Sequence, residues 1–264
     1  MAFLPTHLNH LAPVIRDDLI RLGRKNDGGY VIPRCVFQEC DALLSLGICN
    51  DWSFDIQFKE CLPNAIVHAY DHTTWRGQMV REKNSQLRKF FKGKSSWADY
   101  EQKKCLLESY DAFFSLHACH FQERVRGRIE QANDVTIDTI FSRLNPQYLF
   151  LKIDIEGDEY RIIDDIIRYT PRITALAVEF HHTDHLRTVF LSAIEKLLQH
   201  FAIVHLNANN WGYLANDGLP DVLEITFLAQ RLLENSDRRS ELPLAGIDAP
   251  NNPGRPDYLL KFQL

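Results

Sequence analysis

The chain of 264 residues has no long apolar run that could span a membrane, no Cys-x-x-Cys pair and no excess of positive charge. Its first twenty residues interrupt every apolar cluster with a polar residue or proline, unlike a secretory signal core. The net charge of -5 argues against a protein that binds nucleic acid mainly through phosphate contacts. We therefore expect a cytoplasmic protein with no membrane span, and the composition leaves its oligomeric state open.

The cysteines show neither zinc-like clustering with histidines nor the spacing of a redox pair. We expect most of them to be buried, reduced thiols. They stand at positions 35, 40, 49, 61, 105 and 119.

With 45% hydrophobic and 25% charged residues, the composition is typical of a globular domain. We predict a single domain over 1–264, with an N-terminal extension at 1–41 and a basic, aromatic insertion at about 73–109. A segment rich in Pro, Asn, Asp and Gly, about 236–256, predicts a long surface loop.

Short β-branched runs alternate with segments of helical period along most of the chain. This alternation is typical of an α/β protein whose mostly parallel sheet carries helices on both faces. Seven runs are candidate strands: 42–48, 65–70, 113–120, 148–153, 173–180, 201–206 and 222–228.

The insertion at 73–109 holds nine Lys or Arg against four acids, with tryptophan, phenylalanine and tyrosine side chains interleaved. One interpretation is a mobile cover that holds an anionic or sugar substrate over a site. The other, which we favour, is a solvated insertion whose aromatic residues pack locally, because charge runs usually form a solvated face.

Two apolar runs end abruptly in polar residues that carry chemistry. Segment 149–159 (LFLKIDIEGDE) ends in acids around Gly157, and segment 173–178 is followed by Glu179, Phe180, His181 and His182. Apolar strands that stop in carboxylates mark the ligand edge of an open α/β sheet. The two strand ends are therefore predicted to deliver carboxylates and imidazoles into one crevice.

The first candidate strand ends at Gly47, and the second ends at Asp71. A glycine at that turn lets a ligand approach the backbone, and an acid at the second strand end can accept both ribose hydroxyl protons. The full Gly-x-Gly-x-x-Gly spacing is missing, which disfavours a nicotinamide or flavin enzyme. Gly47 and Asp71 together indicate a nucleoside-containing cofactor other than a nicotinamide or flavin dinucleotide.

Several short motifs occur in an order that is typical of one enzyme family. They are NDGGYV (26–31), LG (46–47), WSFD (52–55), HAYD (68–71), VTID (135–138), LKIDIEG (151–157), VEFHH (178–182), HLNANN (205–210) and LEITF (223–227). In these motifs the chain, from about 20 to 230, resembles the FkbM-like family of S-adenosylmethionine-dependent methyltransferases. The resemblance implies a seven-stranded, Rossmann-like methyltransferase sheet whose last strand is antiparallel, and methyl transfer to an oxygen atom.

Cofactor-binding roles follow from spacing combined with the family motifs. Gly47 would let the methionine portion of S-adenosylmethionine pass the first turn, and Asp71 would hold the ribose. Asp51 either contacts the cofactor or caps the next helix, and Glu156 either contacts a ligand or acts through helix-end electrostatics. The tight turn before the first strand supplies three further candidate contacts: Asp27, Gly28 and Gly29.

The candidate catalytic residues are Asp154, Glu179 and His181. An acid that emerges from an apolar strand is costly unless it finds a cation, a metal or hydrogen-bond donors. Attack by an alcohol requires removal of its proton, which His181 or a carboxylate could accept. A divalent cation, magnesium or manganese, bound by Asp154 and Glu179 could instead lower the pKa of the hydroxyl.

The resemblance thus implies an O-methyltransferase that acts on a hydroxyl of a sugar, glycan or natural product. Asn209 and Asn210 either form a turn, which is the interpretation we favour, or contact the acceptor. A second hypothesis is a metal-dependent hydrolase that uses the strand-end carboxylates and His181 as ligands. A third is a non-catalytic partner protein whose interface is the basic insertion at 73–109.

Overall fold

The structure, a computed structural model, describes residues 3–234 and 236–264; residues 1, 2 and 235 of the predicted 1–264 domain lie outside them. The strands are β1 (Leu19–Leu22), β2 (Tyr30–Pro33), β3 (Ala42–Leu46), β4 (Ile66–Tyr70), β5 (Cys119–Phe121), β6 (Arg124–Val125), β7 (Asp134–Val135), β8 (Leu149–Ile153), β9 (Ile173–Phe180), β10 (Phe201–Ala208), β11 (Leu223–Ala229), β12 (Glu241–Leu242) and β13 (Leu260–Lys261). The helices are α1 (Ser53–Cys61), α2 (Arg76–Phe91), α3 (Trp97–Leu116), α4 (Ile137–Leu144), α5 (Ile163–Ile167) and α6 (Arg187–Leu198).

Seven strands form the central sheet in the order β5-β4-β3-β8-β9-β11-β10. The pairs on either side of β3 are parallel, whereas β11 runs antiparallel to both β9 and β10. This order confirms the predicted seven-stranded, mostly parallel, Rossmann-like methyltransferase sheet with its last strand antiparallel. The chain leaves β3 toward β4 and later returns beside it as β8, which creates a switch point where open α/β sheets bind ligands.

Every residue of β3, β8, β9, β10 and β11 is buried, because layers cover both faces of the sheet. Helices α4, α5 and α6 bury their apolar sides against one face. The other face is covered by α1, by part of α3 and by the β1–β2 hairpin. The hydroxyl of Thr226 on β11 donates to the carbonyl oxygen of Val31 at 2.7 Å, which fixes that hairpin over the sheet.

One predicted strand was wrong over most of its length. Residues 113–116 of the predicted run 113–120 belong to helix α3, and strand β5 begins only at Cys119. Leu107, Tyr110 and Phe113 repeat at helical spacing and are the buried residues of α3, so packing of one helix face overrides the strand preference of the aromatic run.

The expectation that most cysteines are buried was also wrong. All six are free, but only Cys40 is buried, Cys35 is half-buried, and the remaining four are exposed: Cys49, Cys61, Cys105 and Cys119.

The basic insertion forms a helical hairpin of α2 and α3. A capping box starts α3: the Ser96 hydroxyl accepts from the backbone N–H of Asp99, and the Asp99 carboxylate accepts from the backbone N–H of Ser96. Its aromatic residues do contact one another, with Phe90 5.3 Å from Trp97 between ring centroids. Within residues 3–234 and 236–264, none of the helices combines the length and apolar character needed to cross a bilayer.

Candidate active site

A cavity of about 860 Å³ opens at the carboxyl ends of β3, β4 and β8, at the switch point of the sheet. Its volume lies in the range of about 300–1,000 Å³ that is usual for cofactor and small-molecule sites. Seven carboxylates and four cationic side chains line it, so its wall carries an excess of negative charge. The acids are Asp27, Asp51, Asp71, Glu123, Asp154, Glu156 and Asp158, and the cations are Arg24, Lys103, Arg124 and Lys152.

Gly47 lies in the cavity wall directly after β3, with a φ of +83°. A Cβ atom at this position would lie 1.7 Å from the carbonyl oxygen of Asp154, so only glycine fits beside the end of β8. The Gly47 carbonyl oxygen accepts from Lys152 Nζ at 2.8 Å. The glycine is therefore required by the packing of two strand ends, in addition to its place in the wall.

Asp71 lies at the end of β4 and organises the same turn. Its Oδ2 accepts from the backbone N–H groups of Ile48 at 3.0 Å and Cys49 at 2.6 Å, and its Oδ1 accepts from the N–H and hydroxyl of Thr73, both at 2.6 Å. Burial alone would raise the pKa of Asp71, but these hydrogen bonds hold it below its ordinary value. The carboxylate is an anion that faces the cavity.

The turn at 26–29 folds over Asp51 at the rim of the cavity. Asp51 Oδ1 accepts from the backbone N–H of Ser53 at 2.9 Å, and its Oδ2 lies 2.9 Å from Arg24 Nε. Asp51 thus accepts from the first backbone N–H of α1 from the position before the N-cap residue Trp52, and it also lines the cavity. Gly28 lines the cavity as well, where a Cβ would lie 2.3 Å from Asp51 Oδ2, whereas Gly29 does not line it.

The structure brings Asp154 and Glu179 together at the ends of adjacent parallel strands. The Tyr30 hydroxyl lies 3.2 Å from Asp154 Oδ2 and 3.3 Å from Glu179 Oε2, and Asn209 Nδ2 donates to Glu179 Oε1 at 2.9 Å. Burial and the charge of Asp154 raise the pKa of Glu179 well above its usual range. Burial also raises the pKa of Tyr30, so its phenol remains a proton donor between the two acids.

His181 lies in the same group, as its spacing from Glu179 predicts. Its Nδ1 is 2.9 Å from Glu159 Oε1, and its Nε2 is 3.6 Å from Glu156 Oε2 and 3.7 Å from Glu179 Oε1. Burial would lower the pKa of His181, but the hydrogen bond with Glu159 and the surrounding negative charge raise it to about 9. At neutral pH the ring is an imidazolium, which donates a proton and cannot accept one.

Glu159 is a residue that sequence reasoning missed. It is fully buried, and its Oε1 accepts from the backbone N–H groups of Ile155 at 3.2 Å and Gly157 at 3.1 Å, in addition to His181. It therefore holds the turn after β8, whereas Glu156 has a φ of +56° and projects an 87% exposed side chain over the site. The sequence shows the run of acids at 154–159, but it does not show which of these side chains points into the protein.

A second buried acid, Glu224, was missed as well. It lies opposite Glu179 in the β11–β9 register, and its oxygens accept from the amides of Asn207, at 3.0 Å, and Asn251. Asn251 Nδ2 is also 3.3 Å from Asp27 Oδ1, so the loop at 236–256 is tied to the turn at the cavity rim. Burial raises the pKa of Glu224 to about 7. An isolated acid inside an apolar strand was the available signal.

Three side chains at the ends of β8 and β9 are close enough together to share a metal ion. One ligand atom from each of Asp154, Glu156 and His181 lies within 4.8 Å of the others. Glu159 holds Nδ1 of His181, which leaves Nε2 facing the two carboxylates, and a histidine oriented in this way is common around metals. Both oxygens of Glu179, by contrast, already lie within hydrogen-bond distance of Tyr30 and Asn209.

The raised pKa of His181 predicts how stability depends on pH in metal-free protein kept in EDTA. The folded state, with a pKa of about 9 against an ordinary value of 6.5, binds this proton more tightly than the unfolded chain. The stabilisation is fully present below pH 6.5 and is lost as the pH rises through 9, a loss on the order of 3 kcal/mol. Urea unfolding at pH 6 and 9.5 measures it. We expect His181→Gln to remove most of this difference; an equal pH dependence in both proteins would contradict the assignment.

No protein-family model and no curated protein matches the chain. Among solved structures, precorrin-6y C5,15-methyltransferase from Geobacter metallireducens GS-15 is 13% identical, with coverage of 75% of this chain and 88% of that chain and a TM-score of 0.36. A fibrillarin/Nop5p complex contains a chain that is 10% identical, with 72% coverage of each chain and a TM-score of 0.35. The FkbM-like assignment stays a prediction, and the fold assignment stands on the strand order itself.

Proposed function

We propose that the protein is an S-adenosylmethionine-dependent methyltransferase that methylates a hydroxyl oxygen. The observation that carries this proposal is the acid-lined cavity at the switch point of a sheet with the methyltransferase strand order, beside the Asp154–Tyr30–Glu179 group. The cofactor, when bound, supplies an electrophilic methyl group on a positively charged sulfur. An acidic wall favours such a cation and disfavours the phosphate group of a phosphoester substrate.

For the cofactor, we assign Asp71 to the ribose and the turn at Gly47 to the methionine portion. Asp71 already accepts hydrogen bonds from Thr73 on the side away from Ile48 and Cys49, so a ribose hydroxyl would share or replace the Thr73 contacts. Four residues at the rim complete the proposed cofactor site: Asp27, Gly28, Asp51 and Glu156.

For the chemistry, we assign proton removal to Asp154. With S-adenosylmethionine bound, the Asp154 carboxylate would accept the proton of the acceptor hydroxyl as its oxygen is methylated, and the demethylated cofactor would leave as the second product. His181, held as an imidazolium by Glu159, donates toward the acids and reduces their mutual repulsion. Tyr30 and Glu179 position the Asp154 carboxylate.

For the acceptor, we assign a sugar, glycan or hydroxylated natural product that stacks on exposed aromatic side chains. Trp211 is 56% exposed and Tyr213 is 45% exposed, and the Trp211 backbone N–H donates to Asn209 Oδ1 at 2.9 Å. The amides of Asn209 and Asn210 are engaged within the protein, Asn209 with Glu179 and Asn210 with loop carbonyl oxygens such as that of Asn252. The exposed rings are therefore more available than the engaged amides to bind an acceptor.

A divalent cation could assist the same reaction. Asp154, Glu156 and His181 would hold it, and the ion would replace the Nε2 proton of His181, because only a neutral imidazole binds a metal. Two carboxylates with one imidazole suit manganese better than magnesium, which prefers oxygen ligands. Such an ion supplies Lewis acidity, which lowers the pKa of a bound hydroxyl.

Calorimetric titration of the purified chain with S-adenosylhomocysteine tests the cofactor assignment directly. We expect a micromolar dissociation constant, because the cavity is preformed and Asp71 is already ionised. Binding justifies screening of hydroxylated acceptors with EDTA and with manganese. Absence of binding, together with manganese-dependent cleavage of simple esters, would replace this proposal by the hydrolase hypothesis.

A further inference from the structure

The end of the α2–α3 hairpin projects beyond the core, while Gln102 and Leu106 on the inner side of α3 still line the cavity. The described segment 81–106 contains no buried residue, whereas the buried residues of the hairpin, Met79 on α2 and Leu107, Tyr110 and Phe113 on α3, lie at its base. The eleven residues from 81 to the end of α2 extend about 16 Å at the helical rise. A projecting element of this length needs a reason other than the core.

The end of the hairpin, residues 88–100, is hereafter the hairpin tip. It carries two exposed aromatic side chains, Phe91 at 78% and Trp97 at 49% exposure. They contact the half-buried rings of Phe90 and Tyr100, at centroid distances of 5.6 Å for Phe90–Phe91 and 4.8 Å for Trp97–Tyr100. The tip therefore presents a compact aromatic surface to its surroundings.

The same tip concentrates positive charge. Its four cations are all exposed: Arg88, Lys89, Lys92 and Lys94. Among residues 3–234 and 236–264, no carboxylate oxygen lies within 4.0 Å of their side-chain nitrogens. Asp99, the single acid of the tip, is engaged in the capping box with Ser96. The charge of the tip is thus available to an external anion.

The geometry points to the hairpin tip as a docking site for an anionic phospholipid surface. Aromatic rings favour the boundary between headgroups and acyl chains, and adjacent lysines are attracted by acidic headgroups. A convex helical end fits a flat surface, whereas single-stranded nucleic acid requires a groove that follows its backbone. A second copy of the tip would bring its four cations against the four of the first, which disfavours self-association through the tip.

The base of the hairpin connects this surface to the cavity. Residues Gln102 and Leu106 of α3 line the cavity, five and nine residues beyond Trp97, or about 8–14 Å along the helix. Trp52 of the cavity turn donates through Nε1 to Ser109 Oγ at 3.0 Å and packs edge-on against Tyr110. A docked tip would hold the cavity close to the headgroup layer.

Sedimentation of the full-length chain with sucrose-loaded vesicles tests the inference without any cofactor or acceptor, so its outcome is independent of the proposed activity. Vesicles of phosphatidylcholine with about a third phosphatidylserine are compared with pure phosphatidylcholine. Each lysine near an acidic surface contributes roughly a factor of five in partitioning, so Lys92→Glu/Lys94→Glu should weaken binding to acidic vesicles by at least about 25-fold. Phe91→Ser should weaken it by several-fold without a change in charge.

The matched control is Arg128→Glu/Lys196→Glu, which makes the same change in net charge outside the hairpin, at side chains that are 85% and 44% exposed. It should retain most of the binding. The inference is overturned by absence of binding to acidic vesicles, by equal binding to both vesicle types, or by equal losses in the tip and control variants. Binding of a single-stranded polyuridine oligonucleotide in place of vesicles would overturn it in favour of a nucleic-acid surface.

Discussion

Replacement of Asp71 by alanine is expected to weaken the binding of S-adenosylhomocysteine by about a hundredfold or more. The change removes the acceptor of the backbone N–H groups of Ile48 and Cys49, which form the wall beside Gly47, as well as the proposed ribose contact. A hydrogen bond to a charged group contributes about 1.5–3 kcal/mol, and loss of one such ligand contact together with a disordered turn accounts for this factor. Calorimetry on wild type and variant measures the effect.

Two further variants make the Asp71 result specific. Asp71→Asn keeps the size of the side chain and one acceptor oxygen, so it should fold normally and show an intermediate affinity. Asp164→Ala removes an aspartate whose side chain is 74% exposed on α5, and it should bind as the wild type does. Wild-type affinity in both Asp71 variants would show that the ribose is held elsewhere.

The strands that could be predicted from sequence are those buried on both faces. The prediction for β9 at 173–180 agrees at both ends and that for β8 differs by one residue, because a continuous apolar run bounded by polar residues has few alternative interpretations. The strand order came from the motif resemblance and not from these runs. At 113–120 local aromatic composition favoured a strand, and only the burial of Tyr110 and Phe113 against the fold shows that it belongs to a helix.

The site residues that could be predicted from sequence are likewise those at the ends of the buried parallel strands. Asp154 and Glu179 could be paired from sequence because the carboxyl ends of neighbouring parallel strands meet at one edge. Tyr30, which bridges them, comes from a hairpin 124 residues before Asp154, and Asn251 reaches Glu224 from a loop near the other end of the chain. Such contacts depend on how distant segments fold over the sheet, and no local pattern reports them.

The buried acids explain why these distant segments are needed. Glu179 and Glu224 are buried neighbours on adjacent strands, and the burial of each would be costly without hydrogen-bond donors. Asn209 and Tyr30 satisfy Glu179, while Asn207 and Asn251 satisfy Glu224. The raised pKa values of both acids, caused by burial, lower their charge further. The arrangement leaves Asp154 as the strand-end acid that both contacts this network and lines the cavity.

Replacement of Asp154 by asparagine is accordingly expected to lower the rate of methyl transfer by 10²- to 10⁴-fold, the usual contribution of a general base. Asparagine keeps the shape of the side chain and an oxygen for the Tyr30 hydroxyl, but it cannot accept the proton of the acceptor. The affinity for S-adenosylhomocysteine should change by less than about threefold, since the role concerns the transferred proton. The rate of S-adenosylhomocysteine release under saturating acceptor measures the loss.

The variant Glu179→Gln tests whether Glu179 accepts the proton itself or only positions Asp154. Because burial and the charge of Asp154 already favour the neutral acid at Glu179, glutamine resembles the native state, and the rate should fall by less than about tenfold. Asp164→Asn on the exposed side of α5 controls for the loss of a carboxylate as such. Two outcomes would assign the general base to Glu179 instead. One is an Asp154→Asn variant that keeps half the native rate, and the other is a Glu179→Gln variant with a lower rate than Asp154→Asn. A loss of cofactor binding in Asp154→Asn would instead make Asp154 a cofactor contact.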